Sequence, residues 1–304
     1  VYIFLLMSTN RAPNLTRTEN ENYFYDPNTD TRHRFPTISD PASVDVTIVV
    51  PSYNEEKRLP VMLDETIEYF RKRKQKNRSF SYEIIVVDDG SKDRTTQVAL
   101  EYVKGSGTDS IRVLTLDYNR GKGGAIRIGA LSSRGRYILM VDADGATKFE
   151  DIEKLEHAAM KLNKDYSKDC PIVVAGSRAH LEEESMAERT IFRTFLMHGF
   201  HLLVRFLCVK GVKDTQCGFK LFNRVAADIL FHSMHVNGWA FDVELLYIAE
   251  TLRMPIAEVG VNWTEIEGSK MTPFLSWAQM GRDLIIIRLN YLFGLWKIDK
   301  TKHK

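Results

Sequence analysis

The chain has 304 residues, of which 44% are hydrophobic and 27% charged, and its formal net charge is +2. This is an ordinary globular balance with ample apolar material for a large core. The small net charge argues against a general nucleic-acid binder, so no nucleic-acid partner is expected. Cys170, Cys208 and Cys217 are scattered with no Cys-x-x-Cys spacing, which fits neither a disulfide framework nor a zinc site and suits a reducing compartment.

Residues 1–7 are apolar and lack an initiator Met. They read either as the cut end of a membrane anchor or as a frayed hydrophobic terminus, and are far short of the roughly 20 residues of a bilayer span. Residues 8–43 are rich in Asn, Thr, Asp and Pro and read as a polar linker or as an arm that orders on contact. Residues 1–43 thus precede a catalytic unit at 44–270, and 271–304 form a C-terminal appendage.

A β-branched run at 46–50 predicts a buried strand ended by Pro51. Helical spacing follows over 59–74. A strand at 83–87 ends in Asp88-Asp89-Gly90, and 95–104 reads as a helix. A third strand at 111–116 and a helix at 124–132 flank Asn119-Arg120-Gly121-Lys122-Gly123. A fourth strand at 137–141 ends in Asp142, a helix covers 149–163, and a fifth strand covers 172–175. This alternation predicts an α/β fold with a mixed, mostly parallel central sheet flanked by helices. Ligands of such sheets bind outside the carboxyl ends of the strands. Polar clusters stand at those ends: Pro51-Ser52-Tyr53-Asn54-Glu55, Asp88-Asp89-Gly90-Ser91 and Asp142-Ala143-Asp144.

Asp142 and Asp144 alternate around one residue, so both carboxylates can face a hard divalent cation, Mg²⁺ or Mn²⁺, that bridges to phosphates. A surface turn is the bland alternative. Asp88 and Asp89 can accept hydrogen bonds from a base or a ribose, or cap a helix, one role for each carboxylate. The glycine-rich, basic segment around Lys122 is suited to a diphosphate at a helix start, or is a plain helix-entry loop. Asp242 and Glu244 open an apolar helix, as caps or as a base or acceptor-positioning group. Arg178, Arg189 and Arg193 could bind an anionic acceptor. Residues 191–209 and 274–296 are apolar but interrupted by charges, so they read as helices in a membrane interface or as core-packing helices. Trp277, Tyr291 and Trp296 would be the interfacial belt.

Together PSYNE (51–55), VDDGS (87–91), NRGKG (119–123) and DAD (142–144) resemble the family 2 glycosyltransferases of GT-A fold. PSYNEEKRLP (51–60), DADGATKF (142–149), DTQCGFKLF (214–222), FDVELLYIA (241–249) and NWTEIEGSK (262–270) are similar to the branch that glucosylates dolichyl phosphate. The resemblance covers about residues 46–298. It implies transfer of glucose from UDP-glucose to dolichyl phosphate with inversion, at the endoplasmic reticulum membrane with the catalytic domain facing the cytosol. A mannosyl enzyme using GDP-mannose, or a nucleotide-sugar-binding protein without turnover, are the alternatives. The resemblance further implies that Pro51, Tyr53, Glu55 and Asp88 or Asp89 hold the uridine. Lys122 would lie near the diphosphate, Asp142 and Asp144 on the metal, and Arg178 with Arg189 or Arg193 at the acceptor phosphate. In related mannosyl enzymes a Gln two residues past the second Asp also contacts the metal; here that residue is Ala146. The metal is therefore expected to be held firmly only together with the diphosphate. A phosphate monoester is mostly a dianion above its second pKa near 6, so Asp242 is expected to position the acceptor rather than to act as a base.

Overall fold

The computed structural model describes residues 16–165, 170–181, 199, 204, 206–266 and 273–298. Its centre is a seven-stranded sheet of order β5-β4-β3-β6-β8-β7-β9. The strands are β3 (Val44–Ser52), β4 (Tyr82–Asp88), β5 (Ile111–Thr115), β6 (Gly135–Met140), β7 (Val173–Ser177), β8 (Lys220–Asn223) and β9 (Ile256–Gly260). Strands β3 to β6 pair in parallel, β8 runs antiparallel to both its neighbours, and β7 pairs in parallel with β9. The sheet is thus mixed and mostly parallel, as the sequence predicts.

The period of two in the strands sorts their side chains onto two cores. Val49, Ile85, Val87, Ile138 and Met140 face one side. Val46, Ile48, Val50, Ile84, Val86 and Leu139 face the other. Helices α1 (Leu59–Lys76), α2 (Thr95–Ser106) and α4 (Ile152–Asp165) cover the second core. Helices α3 (Lys122–Leu131), α5 (Arg224–Ser233), α6 (Phe241–Thr251) and α7 (Pro273–Leu292) cover the first.

The strand predicted to stop at Pro51 runs on to Ser52. Strand β6 pairs with β3 only as far as Val49↔Met140, so the missing N–H of Pro51 falls where that ladder has ended. The polar N-terminal stretch, where described, is an arm rather than a linker. Tyr23–Asp26 (β1) and Thr31–Arg34 (β2) form a hairpin, and Phe24, Phe35 and Ile38 are buried in the first core. Glu21, wholly buried, ties the arm to the body through Arg120, with Nη2 to Oε2 at 2.6 Å. The interfacial belt expected on the C-terminal segment is corrected in part: Trp296 is buried and Tyr291 packs against it, both turned inward onto His235. The side chain of Trp277, residues 1–7, and most of 191–203 lie outside the described residues.

Candidate active site

The loops after β3, β4 and β6 leave the sheet on one edge, as parallel pairing requires. Asn54, in the left-handed region at φ 52°, joins two of them. Its N–H donates to Ser91 Oγ and its Oδ1 accepts from the Lys92 N–H, both at 2.8 Å. Tyr53 and Pro51 are half-buried beside it. The Glu55 carboxylate is forked onto Arg58, Nε and Nη2 each at 2.7 Å. Glu55 thus reaches the edge already paired, which sequence reasoning, looking for a uridine contact, did not anticipate. The Glu55 contact raises the Arg58 guanidinium pKa against its burial, and the charges of Asp144 and Asp142 add to it.

The two carboxylates after β4 divide their work. Asp88 accepts from the Ser91 N–H at 2.9 Å and from the Thr96 hydroxyl, capping the approach to α2. Asp89 accepts from the Arg120 N–H at 2.6 Å, while its carbonyl accepts from Asn119 Nδ2 at 3.1 Å. Burial pushes the Asp89 carboxyl up to about 6, against the pull of the Arg120 and Gly121 N–H groups.

Asp142 and Asp144 follow β6. Lys122 Nζ lies 2.6 Å from Asp142 Oδ1. Burial would raise Asp142, but Lys122, with smaller contributions from Lys220 and Arg178, brings it below the usual carboxylate range. Asp144 moves the other way, raised by burial and then by the Asp142 charge. Ala146 serves through its backbone: its N–H donates to Asp144 Oδ1 at 3.0 Å and its carbonyl accepts from the Thr264 N–H at 2.8 Å. Gly218 backs the pair. A Cβ there would lie 2.1 Å from Asp142 Oδ2, so only glycine lets β8 approach.

These residues suit a hard divalent cation. Both ligand candidates are carboxylates at one strand end, and an ammonium ion already approaches one of them. Among the described residues no group of three or more His, Cys, Asp or Glu could hold a metal.

The start of α3 departs from expectation. Its Gly123 and Gly124 N–H groups donate to the Asn237 carbonyl at 2.8 and 3.3 Å. These amides dock a neighbouring loop and are not open to phosphate, so the cation offered here is the Lys122 side chain. The Trp239 ring centroid stands 5.7 Å from its Nζ. Behind them Asp242 is buried and takes Lys220 Nζ at 2.8 Å. Burial raises the Asp242 carboxyl, against the pull of Lys220 and Lys122. Glu244 points away from this edge, to His235, Val236 and Tyr291. Arg178 is forked onto Asp214, Nε to Oδ2 at 2.7 Å and Nη2 to Oδ1 at 2.9 Å. Burial would raise Asp214; Arg178 overrides that and holds it at about 2. Arg189 and Arg193 lie outside the described residues.

Lys220, Asp214 and Gly218 went unassigned in the sequence, although DTQCGFKLF contains all three. A lysine inside an apolar run with an aspartate opening a nearby apolar helix is the signal that could have paired Lys220 with Asp242.

The fold is that of nucleotide-diphospho-sugar transferases of GT-A type. The chain belongs to glycosyl transferase family 2, whose profile matches residues 47–231. It is 55% identical to the human dolichyl-phosphate beta-glucosyltransferase over 99% of this chain and 92% of that protein. It is 52% identical to the Drosophila melanogaster protein of that name, over 99% and 91% of the two chains. Among solved structures it is similar to the glucosyl-3-phosphoglycerate synthase of Mycobacterium tuberculosis with phosphoglyceric acid. There the TM-score is 0.57 at 18% identity, over 85% of this chain and 82% of that one. The same enzyme with Mn²⁺ and UDP-glucose matches with a TM-score of 0.52 at 17% identity, over 85% and 81%.

Proposed function

We propose that the chain transfers glucose from UDP-glucose to dolichyl phosphate with inversion, giving dolichyl β-D-glucosyl phosphate and UDP. Likeness in name and sequence along nearly the whole of its relatives supports the substrates. The observation that carries the chemistry is the Asp142 and Asp144 pair beside Lys122 at the carboxyl edge of the sheet.

Asp142 and Asp144 would hold a divalent cation, Mg²⁺ or Mn²⁺, which when bound offsets charge on the donor diphosphate. Lys122 carries a second positive charge to the same diphosphate. Asp89 accepts from the uracil or the ribose, with Tyr53 and Pro51 beside it; Asp88 supports the loop, and Glu55 acts through Arg58. An acceptor phosphate oxygen bonds to the anomeric carbon as the bond from that carbon to the UDP oxygen breaks, and the electron pair leaves on UDP. A dianionic acceptor needs no proton removed. Asp242, neutralised by Lys220, therefore positions and does not abstract. Arg178 faces the acceptor with Asp214 already attached, so it orients a phosphate more than it neutralises one; Arg189 and Arg193 would complete that pocket. The enzyme works at the endoplasmic reticulum membrane with this domain on the cytosolic side, feeding N-glycan precursor assembly.

A donor panel with the purified protein and dolichyl phosphate tests the assignment. UDP-glucose should support transfer that EDTA abolishes and that Mg²⁺ or Mn²⁺ restores. Incorporation from GDP-mannose and not from UDP-glucose would overturn it, as would UDP binding with no UDP released.

A further inference from the structure

Residues 234–240 link α5 to α6 and form the roof over Lys122. Asn237 carbonyl oxygen caps the Gly123 and Gly124 N–H groups. The approach is close enough that a Cβ on Gly121 would lie 2.5 Å from that oxygen, and one on Gly123 2.7 Å from the Val236 carbonyl. Trp239 lies across the Lys122 ammonium. The height of this loop therefore sets where α3 begins and where Lys122 stands.

One buried carboxylate fixes the loop. Glu244, on the first turn of α6, accepts from the His235 N–H at 2.9 Å and from the Val236 N–H at 2.6 Å. Its Oε1 also accepts from the Tyr291 hydroxyl at 2.7 Å, from the last turn of α7. The His235 ring stacks on Trp296, with centroids 4.6 Å apart and planes 7° apart. Tyr291 closes the corner edge-on to both. Burial, and then the Glu244 charge, raises the Tyr291 phenol, so it remains a donor throughout the working pH range. The C-terminal helix is thus joined to the diphosphate side of the site through Tyr291, Glu244 and the His235 and Val236 amides by hydrogen bonds, then along the backbone to the Asn237 carbonyl, which accepts from the Gly123 and Gly124 amides.

We propose that Glu244 and Tyr291 are positioning residues for the donor, holding the 234–240 loop at the height that places Lys122 on the diphosphate. The C-terminal helix is then part of the donor site although it touches no substrate. This rests on the reading of Lys122 as a diphosphate ligand. Buried groups of this kind transmit strain because a close-packed interior does not deform continuously.

The experiment is calorimetric UDP binding, with Mn²⁺ present, to the full chain and its Tyr291→Phe, Glu244→Gln, Lys122→Ala and Lys122→Ala/Tyr291→Phe variants. Tyr291→Phe keeps the ring packing and removes only the hydroxyl, with its bond to Glu244 and its contact with His235 Nδ1, so it answers even if Glu244→Gln fails to fold. It should weaken UDP binding about five- to ten-fold, raise the KM for UDP-glucose alike, and leave the KM for dolichyl phosphate unchanged in protein that is folded at the assay temperature. On the Lys122→Ala background the same change should cost nothing further, because the two act through one contact. Wild-type UDP affinity in folded Tyr291→Phe, beside a weakened Lys122→Ala, would overturn this inference alone. So would an equal loss from Tyr291→Phe with and without Lys122. Unchanged UDP affinity in Lys122→Ala would overturn the reading of Lys122 as well.

Discussion

Asp89 is the residue whose ionisation has the clearest consequence. Its carboxyl is raised from 3.8 to about 6 in the folded chain, by burial above all. Between those values the folded state binds the extra proton, so this group's contribution to stability falls as pH rises through the window and is level above about 6. Binding has the opposite sign. A carboxylate accepts an N–H or O–H from uridine, and a protonated carboxyl has lost that acceptor. UDP-glucose affinity should therefore fall as pH drops below about 6, by up to about ten-fold per unit, and Asp89→Asn should flatten the profile. Equilibrium binding of UDP-glucose is the measurement, since turnover would mix in the acceptor phosphate, which also titrates near 6. A wild-type binding profile level from pH 5 to 7 would remove Asp89 from the donor site. The division between Asp88 and Asp89 was legible as a pair of roles but not as an assignment. Which carboxylate caps depends on where Ser91 and Thr96 fall in space. The pairing of Glu55 was missed for a related reason: its partner, Arg58, is only three residues on, yet only the structure shows the two side chains forked together.

At the scale of elements, strands β3 to β6 were legible because β-branched residues and helical spacing alternate there without interruption. Strand β8 was not. Its four residues are all buried, so they carry no alternation, and the reversal of direction is decided by pairing with β6 and β7 far away in sequence. The N-terminal hairpin was hidden by polar composition, although Tyr23 to Tyr25 before Pro27-Asn28 is a strand-and-turn signal. The β8 reversal has a chemical product: it brings Lys220 against Asp242 on α6, with the ammonium also donating to the Cys217 carbonyl at 2.5 Å. Asp242→Asn leaves that buried ammonium without its counter-charge, a loss of about 3–5 kcal/mol in stability. The unfolding midpoint should drop, and turnover measured below it should fall by less than about 10², the lower end of what loss of one strong transition-state contact costs. A fall of several orders of magnitude with a stable fold and bound acceptor would make Asp242 a base.

At the scale of the whole molecule, the proposed acceptor is a lipid phosphate, while no helix among the described residues is long and apolar enough to cross a membrane. Exposed apolar side chains among the described residues offer one means of contact. Ile285 and Leu292 are seven residues apart on α7, hence on one face, and are 46% and 61% exposed. Phe206, 80% exposed, belongs to a segment whose Cys208 thiol lies 3.7 Å from the Leu284 carbonyl. Ile285 and Leu292 share α7 with the inward-turned Tyr291, so one helix carries both the partner of Glu244 and outward apolar side chains. Each large side chain moved from water into lipid contributes about 1.5 kcal/mol, or about ten-fold in partition. Phe206→Glu with Ile285→Glu should lower vesicle binding by about a hundred-fold on that arithmetic. Turnover of vesicle-borne dolichyl phosphate should fall with it, while UDP affinity and turnover of detergent-dispersed acceptor stay near wild type. Equal losses on both acceptors would mean that the two residues serve the fold. Unchanged vesicle binding would mean that the bilayer is met elsewhere.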